Sequence, residues 1–566
     1  MMSPPIPASL APSRAASRWP RLVLEASAAL AVLCCLALAA VWLVRHPVIN
    51  AYDEVGHIGN TLSDALMLRR GDFAVLRDSL FLWNRWLPPG LRVVGLPIAA
   101  VAGDSAQEAL RLSAAVLFLL TVGALWMALR PIGGRAGAAA GVLLYCLSPI
   151  NLYGAQNFMT EAVLHLCAAL ALWLLVAEAR SPRPSILRMG ALGPVLGLGT
   201  LSKLTFLPAF GVIWVGVALY RWWRERDDGA LAIRLLLPAA GLLAVAWPHY
   251  VLNGTRYIGY AKATAQGFAF TPWPETGIDF VARAARALVG DVLGPAGAVA
   301  LIGGLALVPF AWRRADETQR LMAALATLAA MPTLFAYFGS NNQTDRYLGM
   351  SLIGFSVVIA FGIGGALRAM PPRLPARAVA GVIGAATLAQ VAWALLIAWQ
   401  GPSTAWAATG LTFTSWRENP HCDYAELASV VPPVAGPVNV GVFGTNRQTN
   451  PGTVRLAFLE AGRRVAANDF GMYQSGIDWD SVLTEAAAQD AIVLPVDPGA
   501  LDVFPINRFV PEFEGRLTGA GVVIEKRVEL AGGPDPACAI RVLIPARGTG
   551  PRPARGPFRS EVNTLP

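Results

Sequence analysis

Four short polar stretches, separated by long apolar runs, hold the side chains best able to move a proton or hold an anion. The first, Tyr52-Asp53-Glu54-Val55-Gly56-His57, puts two acids and a histidine within about one helical turn. A solvated helix start accounts for the acids, because the N-terminal dipole favours them. A general base or a metal ligand accounts for them equally, helped by His57 four residues beyond Asp53 on one helical face. The second is Gln156-Asn157-Phe158-Met159-Thr160-Glu161, with His165 one turn on. Glu161 either caps its helix or is a carboxylate turned toward a bundle interior, which marks a functional site by default. In the third, Leu201-Ser202-Lys203-Leu204-Thr205, Lys203 is one of only three lysines in a chain that otherwise uses arginine. It reads as a snorkelling surface lysine or as a compact point charge suited to a phosphate oxygen. The fourth, Asn341-Asn342-Gln343-Thr344-Asp345-Arg346-Tyr347, sets Arg346 beside a helix N terminus, a combination that favours an anion. An Asp345–Arg346 surface pair with an interfacial Tyr347 is the other reading.

The elements that must position these groups are membrane helices. The chain of 566 residues is 55% hydrophobic and 14% charged, with a mean hydropathy of +0.50, outside the range of soluble globular proteins. Its net charge of +9 does not build the concentrated basic stripe that a phosphate backbone needs, so nucleic acid is not an expected partner. Residues 401–566 sum to about −3, which leaves about +12 in the loops between spans. The bias toward Arg, Ala, Gly and Pro looks like that of a GC-rich bacterial genome.

A bilayer core takes roughly 20 apolar residues per helix. Eleven spans are expected, near 22–45, 107–129, 136–153, 160–178, 189–202, 204–220, 234–252, 292–312, 320–338, 347–367 and 378–399. Alternate loops carry arginine throughout: Arg130 and Arg135, then Arg180, Arg183 and Arg188, then Arg221, Arg224 and Arg226. The positive-inside rule therefore predicts a cytoplasmic N-terminal tail over 1–21 and, after an odd number of spans, a non-cytoplasmic C terminus. The outer side then carries two long loops, 46–106 and 253–291, within a membrane domain of 22–400. The stretch Asp64 to Phe81 is amphipathic and predicts a segment lying in the interface plane. On this topology all four polar clusters fall on the same, outer side.

From about residue 401 the hydrophobic period changes. Val438 to Phe443 and Ala491 to Pro495 predict buried strands, and Thr453 to Ala461 and Trp479 to Ala488 predict helices, so 401–546 reads as a small soluble α/β domain followed by a disordered tail over 547–566. Cys422 and Cys538 are the only cysteines in a domain expected to fold in an oxidising compartment, which predicts a disulfide between them. Cys34, Cys35, Cys146 and Cys167 lie in or near apolar runs and have no metal-site spacing.

The order of the short motifs resembles that of the GT-C superfamily of polyprenyl-phosphate-sugar-dependent glycosyltransferases, in particular the branch of protein O-mannosyltransferases and lipid A aminoarabinose transferases. The similar features run over roughly 45–370: Asp53-Glu54, Gly71-Asp72, Pro88-Pro89-Gly90, Arg111-Leu112-Ser113-Ala114, Thr160-Glu161, Leu201-Ser202-Lys203 and Arg346-Tyr347-Leu348. The resemblance implies an all-α polytopic membrane domain of GT-C type, a sugar donor on a lipid monophosphate, and a glycan, lipid or protein acceptor at the outer face of a bacterial inner membrane. It implies Asp53 as the catalytic acid of the Asp53-Glu54 pair. Leu87 stands directly before Pro88, where the aminoarabinose branch often places a lysine, and Arg85 is the nearest basic residue.

The expected chemistry is inverting transfer. Asp53 takes the proton of the acceptor hydroxyl, while Lys203 and Arg346, with Tyr347 beside them, bind the departing phosphate; His57, Arg85, Glu161 and His165 support them. No cofactor is required, and a divalent metal is compatible with Asp53, Glu54, His57, Glu161 and His165. A transporter or lipid-carrier flippase is the rival reading, but the sequence shows no internal repeat of the transporter kind.

Overall fold

The computed structural model describes residues 19–45, 52–83, 88–265, 278–338 and 348–369, a few isolated positions between 382 and 389, and, further on, 422–434, 436–446, 449–470, 477–497, 505–533 and 538–546. The membrane part opens with α1 (Trp19–Arg45), followed by α2 (Tyr52–Arg69), α3 (Phe73–Asp78) and α4 (Gly90–Ala102). Then come α5 (Ala106–Leu147), α6 (Pro149–Gln156), α7 (Thr160–Ala179), α8 (Ile186–Ser202), α9 (Phe206–Glu225) and α10 (Asp228–Ala265). It closes with α11 (Ile278–Ala287), α12 (Gly294–Arg314), α13 (Glu317–Phe338) and α14 (Ser351–Ala369).

Among the described residues, seven helical stretches are long and apolar enough to cross a membrane. One of them, Gly90–Leu147, takes in both expected spans 107–129 and 136–153. The expected span 189–202 is a shorter apolar helix, Ile186–Ser202, and 320–338 corresponds to α13. The expected span 378–399 and the tails 1–18 and 547–566 lie outside the described residues.

α5 is broken where the sequence placed a loop. Gly134 takes φ 72° and ψ −172°, close after Pro131, and Gly141 comes up against the Leu129 side chain, so the two halves fold back on each other. The carbonyls freed at the bend are taken up from other helices. Pro131 O accepts from Arg180 at 3.0 Å and from Gln319 at 3.1 Å, and Ile132 O accepts from Gln319 at 3.0 Å and from Arg368 at 3.1 Å. Beyond the bend, Gly133, Gly137 and Gly141 form a seam of small residues against Ser356, Ala360 and Gly364 of α14. A Cβ on any of these glycines would run into the backbone of the facing helix, and this spacing is how membrane helices reach close van der Waals contact.

The segment expected in the interface plane is anchored at its start and exposed in its middle, where Phe73 is 66% exposed. Asp64, at its start, is 0% exposed and paired with a buried Arg92. An acid with a bidentate partner has no need of the water that an interfacial helix would offer it.

The C-terminal part is α/β. Its helices are α15 (Ala425–Val430), α16 (Pro451–Glu460), α17 (Trp479–Ala487) and α18 (Val510–Gly519). Its strands are β1 (Val438–Val442), β2 (Val465–Asp469), β3 (Ala491–Pro495), β4 (Ile524–Leu530) and β5 (Ile540–Pro545), in the order β2-β1-β3-β5-β4. β1 pairs in parallel with β2 and β3, while β5 pairs antiparallel with β3 and β4. β3 is buried along its whole length, as expected for the central strand of a sheet covered on both faces. Cys422 and Cys538 are joined, with their Cα atoms 5.2 Å apart.

Candidate active site

α2 carries the first polar cluster in its opening turn, where acids suit the helix dipole. The backbone of Asp53 lies within this helix; its side chain, like that of Tyr52, is outside the described residues. Glu54 points inward and is fully buried. Its Oε1 accepts the backbone N–H of Phe158 at 2.8 Å, and Arg111 Nε of α5 is 3.6 Å away. One carboxylate thus ties α2 to α5 and to the turn between α6 and α7. Burial pushes the Glu54 carboxyl above its usual range, against the downward pull of Arg111 and of the Phe158 N–H. This is the setting of a structural tie more than that of an open base. His57, one turn on, is buried as well.

α4 reaches the same junction through two glycines. A Cβ at Gly95 would stand 2.7 Å from the Phe158 ring and 3.0 Å from both Leu110 and Thr61, so only hydrogen lets α4 lie against α2, α5 and the Phe158 turn. A Cβ at Gly90 would stand 2.6 Å from Ser202 Oγ and 2.8 Å from the Leu201 backbone. The Pro88-Pro89-Gly90 motif therefore packs directly on Leu201-Ser202-Lys203, more than a hundred residues away in sequence.

Lys203, just beyond the C-terminal end of α8, points its ammonium at Glu161 in the first turn of α7, with Nζ 3.0 Å from Oε1. Thr160 Oγ1 donates to the other carboxylate oxygen at 3.1 Å. Glu161 and His165, four residues apart on one helix, have different neighbours: Glu161 turns to Lys203, and His165 Nδ1 lies 3.1 Å from the Tyr145 hydroxyl. Among the described residues, no three of His, Cys, Asp and Glu come together as metal ligands. Tyr250 of α10 donates to Thr200 O at 2.7 Å, and Asn253 donates to Phe81 O at 2.7 Å, which brings α10 to the same face. Gln156 is buried at the end of α6, and its side-chain amide has no hydrogen-bond partner among the described residues. Arg85, Arg346 and Tyr347 lie outside the described residues.

A buried ion-pair cluster that the sequence reading missed flanks this face. Arg92 of α4 grips Asp64 of α2 with Nε to Oδ2 at 2.8 Å and Nη2 to Oδ1 at 2.7 Å, and Ser79 Oγ donates to Asp64 Oδ1 at 2.6 Å. Burial pushes the Asp64 carboxyl up, against the pull of Arg92 and Ser79. The available signal was Arg92 itself, a lone charge inside the apolar run Gly90–Ala102. Arg455 of α16 comes in beside this pair. It donates to Asn60 Oδ1 of α2 and, at 3.2 Å, to Ala467 O.

Residues 88–249 match the family model described as dolichyl-phosphate-mannose-protein mannosyltransferase. The fold is similar to the crystal structure of ArnT from Cupriavidus metallidurans bound to undecaprenyl phosphate, at a TM-score of 0.51 and 17% identity over 92% of this chain and 99% of that one. It is similar as well to the apo state of the same enzyme, at a TM-score of 0.50 and 17% identity over 92% and 98% of the two chains. No curated protein sequence matches it. The family match over residues 88–249 and the shared fold agree with the resemblance read from the short motifs.

Proposed function

We propose that this membrane glycosyltransferase moves a sugar, with inversion, from a polyprenyl-phosphate carrier to a cell-envelope glycan, lipid or protein acceptor at the outer face of a bacterial inner membrane. The observation that carries the reading is the junction itself. Glu54, the Phe158 turn, Gly90 against Ser202, and Lys203 with Glu161 come from five segments and meet on one face of a mostly apolar bundle. Grouped ionisable side chains at such a place are costly and mark the working surface of a membrane protein.

In this mechanism the acceptor oxygen attacks the anomeric carbon and the bond from that carbon to the phosphate oxygen breaks. Asp53 takes the hydroxyl proton, and the lipid monophosphate leaves with the bonding electrons. Lys203, held by Glu161 before the donor arrives, meets the phosphate together with Arg346 and offsets the charge that develops on it. Gln156 offers an amide to the sugar or acceptor hydroxyls. Glu54 holds the first turn of α2 so that Asp53 keeps its place.

The test uses purified protein in lipid with a polyprenyl-phosphate sugar and a cell-envelope acceptor fraction. Asp53→Asn keeps the shape of the carboxylate but cannot accept the proton, and the expected loss is about 10²–10⁴ in rate at unchanged abundance. Turnover at the wild-type rate by normally inserted Asp53→Asn would overturn the assignment and favour the transporter reading.

A further inference from the structure

We infer that the C-terminal α/β domain holds the acid-bearing helix α2 in register, and that Arg455 is the positioning residue through which it does so. The inference rests on the reading that α2 carries the catalytic acid. Among the described elements, α16 is the one through which the domain chiefly meets the membrane part, and α2 is the element it meets. The meeting is close. A Cβ at Gly452 would stand 3.0 Å from Val55 Cγ1 and 3.1 Å from the Gly56 backbone nitrogen, and one at Gly59 would stand 3.6 Å from Arg455 Cδ. Val55, Gly56, Gly59 and Asn60 form one stripe along α2, starting at the residue after Glu54. Leu456, one residue beyond Arg455, packs into the hydrophobic cluster of the membrane part and not into the core of its own domain.

Arg455 fixes the position along that stripe. Its guanidinium spans the interface, with one end on Asn60 of α2 and the other on the Ala467 carbonyl of β2. Burial and the neighbouring Arg92 lower its pKa to about 10, with Asp64 pulling the other way, so it remains charged at neutral pH. A partly buried charge is a costly way to join two surfaces, and apolar side chains of similar volume generally do so more cheaply. What a planar, forked donor adds is a defined register, since sliding α2 by one residue, about 1.5 Å, would take Asn60 away from it. The capping box that starts α16, built from the reciprocal bonds of Asn450 and Thr453, makes the clamp itself stiff. Reacting groups displaced by about 1 Å lose about 10²-fold in rate, so a clamp on α2 acts on turnover.

The experiment uses the full-length protein in lipid with the donor and acceptor above. Arg455→Ala is expected to lower kcat about 10–10²-fold with the donor KM little changed, and Arg455→Lys, which keeps the charge but cannot span both partners, to fall between. Hydrogen exchange by mass spectrometry should show faster exchange over 52–69 in Arg455→Ala, with β1 and β3 as protected as in the parent. Arg541→Ala, on the β4–β5 edge where Arg541 pairs with Glu529, should match the parent in every readout. Wild-type kcat in Arg455→Ala would overturn the inference, and so would an equal loss of protection in the sheet, which would mean that the domain had merely come apart. Failure of the underlying reading is separate: it shows as full activity in Asp53→Asn whatever Arg455→Ala does.

Discussion

At the scale of single residues, Glu54 should respond to substitution differently from Asp53, the proposed base. Glu54 is buried on a backbone N–H, and a carboxamide oxygen can accept the same bond without the cost of a buried charge. Because it also removes the charge opposite Arg111, Glu54→Gln should fall between the parent and Glu54→Ala in stability. Glu54→Ala strands the Phe158 N–H and should cost about 1–3 kcal/mol of stability, read as a lower midpoint in thermal unfolding in detergent. The Asp64–Arg92 pair is more demanding. Asp64→Ala leaves a buried guanidinium with only Ser79 to meet it, and the expected cost is about 3–5 kcal/mol, large enough to appear as loss of folded protein on size-exclusion chromatography.

At the scale of elements, glycines decide which helices touch. Gly90→Ala would push a methyl group into Leu201 and Ser202 and move the residue that follows them, Lys203; a cost of about 1–3 kcal/mol is expected, with weaker donor binding as the second readout. Gly364→Ala, at the α5–α14 seam but remote from the polar face, should lower the unfolding midpoint by a similar amount and leave donor KM unchanged. The spans and the strands β1 and β3 were legible because each is a long apolar run or a short buried one. The clusters around Glu54, Glu161 and Lys203 were legible as charges where charge is expensive. What meets what was not: nothing local links Asp64 to Arg92, Gly90 to Ser202, or Asn60 to Arg455, because those pairings are set by helix packing across 28 to 395 residues. The edge strands β2 and β4 were missed for a related reason, and the inner strand β5 was missed with them. β4, Ile524–Leu530, is mostly polar and exposed and has no buried-strand signature.

At the scale of the whole molecule, a membrane bundle and an α/β domain meet, among the described elements, chiefly at one helix, α2. The domain is itself closed by the Cys422–Cys538 bond, which spans 116 residues. In the chain-entropy model a loop of about 100 residues is stabilised by about 4.7 kcal/mol on crosslinking. Cys538→Ser should therefore lower the unfolding midpoint of the domain, and peptide mapping of the parent without reductant should recover the two cysteines as one crosslinked species. The strand order has a consequence for biosynthesis. β5 follows β4 in the chain but belongs between β3 and β4, so the sheet stays split until β5 has left the ribosome. The bundle enters the membrane long before that, with α2 still unclamped. A chain that ends before β5 thus carries the acid helix without its brace, and should transfer sugar more slowly than the full-length protein.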